Sequence, residues 1–175
     1  MPPTSDTVTR AIADEASSEL NAALGKIKHC LAQLSNDQIW WRQDESRNSI
    51  GNLILHLCGN LRQWCVVGLT GAPDTRDRQS EFSHRNPIPT ADLLARLEQT
   101  VCDASQALHS LSPEDLLRVR ELQTRNVTAL GAIFRTIPHF RGHTQEIIHM
   151  TRTILGQSYK FHWIPSPAEQ GRASS

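Results

Sequence analysis

The residues of this chain best suited to chemistry are histidines. The segment HFRGHTQEIIHM, residues 139–150, holds three of the eight. His139 and His143 stand four apart, so on an α-helix both rings share one face, about 40° apart round the axis. His149 falls roughly 80° from His139 and about 120° from His143, and points elsewhere. Two imidazoles at i and i+4 can share one divalent ion, the geometry that HExxH zinc sites use. Here Phe140 follows His139 where HExxH has Glu, so the pair stands as HxxxH. Alone, such a pair is more often a surface pair without a role. A third ligand changes its meaning, and His56, midway along another helical segment, is the best candidate. Three neutral imidazoles would leave coordination positions open for water or substrate, as catalytic sites do.

Other residues near these positions have two readings each. Glu146 lies about 20° from His139 on the helical wheel and one turn past His143. It would hold a hydrogen bond behind a ligand, act as general base on water at the ion, or make a surface ion pair. Asn52, Asn60 and Gln63 share a face with His56 and would orient it, touch substrate or make interhelical polar contacts. That face has an unusual composition. From Ser49 to Leu69 the sole charged residue is Arg62, well off the stripe. A water-facing stripe normally carries Lys and Glu, so Ser, Asn, His and Gln here suit a polar pocket in which each finds a partner. Arg76 and Arg78 would meet an anionic substrate, or pair locally with Asp74, Asp77 and Glu81. The local pairing is the safer expectation.

Four segments with a 3.6-residue apolar period must position these groups. They run over about 5–34, 49–69, 90–108 and 128–155. Thr90 is the expected N-cap of the third, and Gly156 a C-cap for the fourth. Ser112-Pro113-Glu114-Asp115 suits one short extra turn, and Val119 to Leu122 a brief extended piece. Pro138 either kinks the fourth helix or opens a new one beside the paired histidines. Four such helices imply an all-α fold, an antiparallel four-helix bundle. The link GAPDTRDRQSEFSHRNPIP, residues 71–89, is long enough for a crossover between helices 2 and 3, or for a loop over one end of the bundle. One domain is expected over residues 1–165, with Tyr159 to Pro165 packed on it, and a flexible tail over 166–175.

Composition excludes several classes. Lys and Arg number 18, as do Asp and Glu, so there is no basic excess for nucleic acid. No apolar run is long enough to span a membrane and no secretion signal opens the chain, so it is expected to be cytoplasmic. Cys30, Cys58, Cys65 and Cys102 form no CxxC pair and suit reduced packing positions. Trp40, Trp41, Trp64 and Trp163 suit core or dimer contacts more than a substrate cage.

GNLILHLCGNLRQW (51–64) followed by IPHFRGHTQEIIHMTRTILG (137–156) resembles the DinB-like superfamily of bacterial metalloenzymes. The more specific similarity is to an uncharacterised branch, over about residues 10–165, including the GAPDTRDR loop and the aromatic YKFHWIP. The resemblance implies a four-helix bundle with a long crossover, often a homodimer. It also implies one divalent metal ion held by His56, His139 and His143. Better-known relatives follow the pair with Arg-Gly-Gln, whereas this chain has Thr144-Gln145-Glu146, so shared substrate contacts do not carry over. Activities in the superfamily include transfer of low-molecular-weight thiols such as bacillithiol and mycothiol, with isomerase and hydrolase members.

The expected chemistry is therefore Lewis-acid activation of a thiol or water, in a thiol S-transferase or hydrolase acting on a small-molecule substrate. Glu146 is the candidate catalytic group. An all-imidazole set favours zinc or nickel over manganese or iron. The rival class is a non-catalytic helical dimer that uses the metal or pocket for structure or ligand binding.

Overall fold

Ser, Thr and Asp open most of the helices, because each side chain can accept from an amide that the first turn leaves unpaired. In a computed structural model describing residues 2–163, Thr4 caps α1 (Ser5–Leu31) and Ser35 caps α2 (Asn36–Trp40). Ser49 caps α3 (Ile50–Leu61), which continues through a π-helical turn (Arg62–Val67) into the short α4 (Gly68–Thr70). Gly71 ends that run with a φ of 77°, a left-handed conformation that glycine adopts freely. Asp77 caps α5 (Arg78–Ser83) within the long connection. The next helix, α6 (Thr90–His109), has its cap at Pro89, one residue before the expected Thr90. The Thr90 hydroxyl instead donates to Asn36 Oδ1 at 3.0 Å. Ser112 caps α7 (Pro113–Leu117), the expected short turn. Thr128 caps α8 (Ala129–Leu155), which Gly156 ends with a φ of 53°. The expected tail, 166–175, and the end of the Tyr159–Pro165 segment lie outside the described residues. Within that segment, Tyr159 meets the edge of His29, while Phe161 and Trp163 are exposed.

Between α7 and α8 lies a hairpin whose first strand is the expected extended piece, Val119 to Leu122. β1 (Val119–Leu122) pairs antiparallel with β2 (Arg125–Thr128), in the register Val119 to Thr128. Gln123 and Thr124 both turn with positive φ, 50° and 63°. Such turns usually read Asn-Gly or Asp-Gly, and that signature is missing here.

Four long helices make the body. Both α1 and α3 pack against α6 and α8. Side-chain pairs fix their directions. Ser17 meets Ser105 and Lys28 meets Glu98, so α1 and α6 run antiparallel. Glu19 pairs with Arg141 and Cys30 lies beside Thr151, so α1 and α8 run parallel. His56 meets His139 while Trp64 lies under Arg135, so α3 and α8 run antiparallel. It follows that α3 and α6 are parallel neighbours, which only a long crossover between consecutive helices permits.

Leu20, Ile27, Leu53, Ile54, Leu57, Leu61, Leu93, Leu97 and Phe140 are fully buried between the helices. Each such side chain contributes roughly 1.5–3 kcal/mol of transfer free energy. Cys30, Cys58 and Cys65 are buried free thiols in the same core, and Cys102 is exposed. α8 passes through Pro138 without a break, with that residue on its exposed side. There water can reach a carbonyl that the proline leaves unpaired.

Candidate metal centre

The antiparallel pairing of α3 and α8 brings His56 level with the HxxxH pair. One ligand atom from each of His56, His139 and His143 lies within 4.8 Å of the other two. Ring centroids stand 5.2 Å apart for His56 and His139, 5.1 Å for His56 and His143, and 4.5 Å for His139 and His143. The rings meet edge to face, with interplanar angles of 81°, 82° and 89°. His149, by contrast, is exposed on the far side of α8, as its wheel position requires.

His56 is 5 % exposed and its Nδ1 faces Glu81 Oε2 at 2.9 Å. Its Nε2 is left to face the other rings, 3.0 Å from His139 Nε2. His143 repeats the arrangement, with Nδ1 at 2.7 Å from Glu146 Oε2. A carboxylate on Nδ1 fixes the tautomer and leaves the Nε2 lone pair for a cation, the usual support of a metal-bound histidine. Burial, then the neighbouring His143 and His56 and the cations Arg76 and Arg78, push His139 down to about 4. The His139 ring is therefore neutral at pH 7, and its Nε2 lies 3.0 Å from that of His56, a spacing that suits a shared cation.

The crossover supplies what surrounds His56. Arg76 grips Glu81 with two hydrogen bonds, Nε to Oε1 at 2.7 Å and Nη2 to Oε2 at 2.8 Å. Both side chains are less than a tenth exposed. Burial alone would raise the Glu81 carboxyl, but hydrogen bonds and charge from Arg76 and His56 outweigh it and hold it below the ordinary carboxylate value. Arg76 Nη1 also donates to Gln63 Oε1 at 2.8 Å, and Gln63 Nε2 donates to Asp74 Oδ2 at 2.6 Å. Gln123, from the turn of the hairpin, donates to the same Gln63 oxygen. Phe82 lies against the His56 ring with centroids 4.8 Å apart, and Arg78 stacks on the other partner of that contact, Phe82, at 4.8 Å.

The polar stripe of α3 thus faces inward, as its lack of charge implied. Ser49, Asn52 and Gln63 are buried with His56. Asn52 does not touch the histidines. Its Oδ1 accepts from the Ser49 amide and hydroxyl, and its Nδ2 donates to the carbonyls of Glu81 and His84. It pins the crossover over the site. Gly59 leaves the room for this approach, since a Cβ there would overlap the Glu81 carboxylate. Local pairing of Arg76 with Glu81 holds, but it is buried against a candidate ligand and not on the surface. Glu81, expected only as a local partner of the loop arginines, also faces the candidate ligand His56. The one signal of that second role was an acidic residue in a loop already noted for its Arg and Asp content.

The helical body can be placed by comparison with known folds and families. In a comparison of folds, a crystal structure of a DinB-like protein, YjoA from Bacillus subtilis, superposes with a TM-score of 0.64. It covers 87 % of this chain and 99 % of its own, at 16 % identity, and shows that the fold here is DinB-like. Residues 7–168 match a family of proteins of unknown function, DUF1572, and the chain belongs to that family. A comparison with curated protein sequences found no match. No helix among the described residues is long and apolar enough to cross a membrane.

Proposed function

We propose that His56, His139 and His143 hold one divalent metal ion, and that the protein is a metal-dependent enzyme acting on a small thiol or on water. The supporting observation is the convergence of three imidazoles, two of them backed at Nδ1 by Glu81 and Glu146. Zinc or nickel suits the all-nitrogen donor set best, ahead of manganese or iron. When bound, such an ion supplies Lewis acidity, lowering the pKa of a thiol or water so that a nucleophile exists near pH 7.

The chain's own residues do the rest. Glu81 and Arg76 hold His56 in one tautomer and orientation. Glu146 does the same for His143 from a half-exposed position. Because it bonds Nδ1, on the side of the ring away from Nε2, positioning suits Glu146 better than general-base catalysis. Phe82 covers one face of His56 and keeps water from it.

Metal content of the purified protein, followed by a screen of low-molecular-weight thiols with electrophiles and of hydrolysable esters, with and without chelator, tests the reading. Chelator-sensitive turnover that His56→Ala abolishes, with helical content kept, supports an enzyme. Stoichiometric metal whose removal lowers the melting temperature, with no turnover in any assay, favours the non-catalytic structural role.

A further inference from the structure

A cavity of about 210 Å3 opens beside the histidines, lined by Asn60, Trp64, Gln123, Arg135, Thr136 and His139. It is smaller than the roughly 300–1,000 Å3 of sites for drug-sized ligands, so it suits a small molecule. His139 forms one wall, which puts the cavity in contact with the candidate metal centre. Apart from the Trp64 ring the other walls are polar, and they carry a net positive charge, for no carboxylate lines them.

Arg135 decides the sign. The arginine ion pairs among the described residues are those of Arg76, Arg85, Arg118, Arg120 and Arg141, and Arg135 belongs to none. Its guanidinium instead stacks over Trp64, 5.5 Å from the ring centroid, which holds the cation at the cavity rim. Trp64 is itself buried and sits in the π-helical turn. Thr136, on the same side, is 1 % exposed, and its hydroxyl is buried beside the Cys65 thiol.

We infer that this cavity is the substrate subsite and that it takes a small carboxylate, with the anion on Arg135 and the reacting group directed toward His139. The inference rests on the proposed metal-dependent function and adds the class of substrate. A planar guanidinium pairs with a carboxylate through two parallel hydrogen bonds, so Arg135 suits that anion in a way lysine would not. Asn60 and Gln123 offer amide groups to the rest of the molecule.

The test uses two probes of equal chain length, 3-mercaptopropionate and 3-mercapto-1-propanol, titrated by calorimetry into zinc-loaded and metal-free protein. Zinc content is measured on every sample. Wild type should bind the carboxylate about tenfold more tightly than the alcohol, roughly the strength of one charge-assisted contact. Arg135→Gln should remove the preference at unchanged zinc content, and Arg135→Lys should keep part of it. The same Arg135-dependent preference should persist, at weaker affinity, in metal-free protein, because the carboxylate contact does not need the ion. Equal binding of both probes to wild type in both forms overturns the subsite. So does a preference that survives Arg135→Gln. Protein that takes up no zinc but keeps the Arg135-dependent preference refutes the metal centre and leaves the anion subsite standing.

Discussion

His56 and the His139–His143 pair meet at one point but are held there by different means. The pair comes from a single helix, half-buried, and its geometry is set by the 3.6-residue repeat. Only Glu146, itself 48 % exposed, supports it from behind. His56 comes from a helix buried on nearly all sides and is fixed by a buried Arg76–Glu81 pair from the crossover. The difference teaches where the site keeps its rigidity. The two α8 ligands are preorganised by backbone, whereas the third is preorganised by a tertiary network that also ties down a nineteen-residue connection, 71–89.

Removing the strapped ligand should have the largest effect. His56→Ala should leave the protein without stoichiometric metal by elemental analysis. It should also cost about 1–3 kcal/mol in urea melts, since Glu81 loses a buried partner. Metal retained at wild-type stoichiometry would break the comparison, because the pair alone would then suffice.

Glu81→Gln should come next. Loss of an orienting carboxylate typically lowers metal affinity roughly 10–100-fold. Leaving Arg76 buried without its anion should cost about 3 kcal/mol or more of stability. Competition with a chromophoric chelator and denaturant melts read both quantities. A change in stability with unaltered affinity would make the strap structural only.

Acid should act on the same region. The unfolded chain takes up a proton on the residue-139 imidazole below about pH 6.5, while the folded metal-free protein does so only near 4. Stability should therefore fall as pH drops through that window. Glu81, held below its ordinary value, adds stability present above about pH 4.5 and lost as pH falls further. Urea midpoints of metal-free protein at pH 7, 6 and 5 should decline in order; a flat series would contradict the burial of His139.

Glu146→Gln should have the smallest effect. The group is half in water, so metal affinity should drop less than about tenfold and stability should change by under ~0.5 kcal/mol. A loss as large as that of Glu81→Gln would erase the contrast between the two ligand sources.

These two regions also differ in how much of them the sequence discloses. His139 and His143 announce themselves because helical periodicity fixes their relation, and Pro138 does not break it. The inward polar stripe of α3 was legible because an uncharged Ser-Asn-His-Gln face has no reason to meet water. The Arg76–Glu81 pairing was legible but its place against His56 was not, since that depends on where an aperiodic loop lands, 25 and 20 residues from His56. The π-helical turn, the hairpin's tight turn and its second strand were not legible for related reasons, although Val119 to Leu122 read as extended. RQWCVV carries no local signal for a wider helix, and Gln123-Thr124 lacks glycine in a turn that usually demands it. Gln123 then reaches Gln63 and the proposed subsite, so the least legible element contributes to the site's edge.

X-ray absorption on the zinc-loaded wild-type chain tests the central claim most directly. One zinc per chain with three imidazole nitrogens at about 2.0–2.1 Å is the expected result. Zinc bound by two or fewer imidazoles, or the same spectrum from His56→Ala, would contradict it.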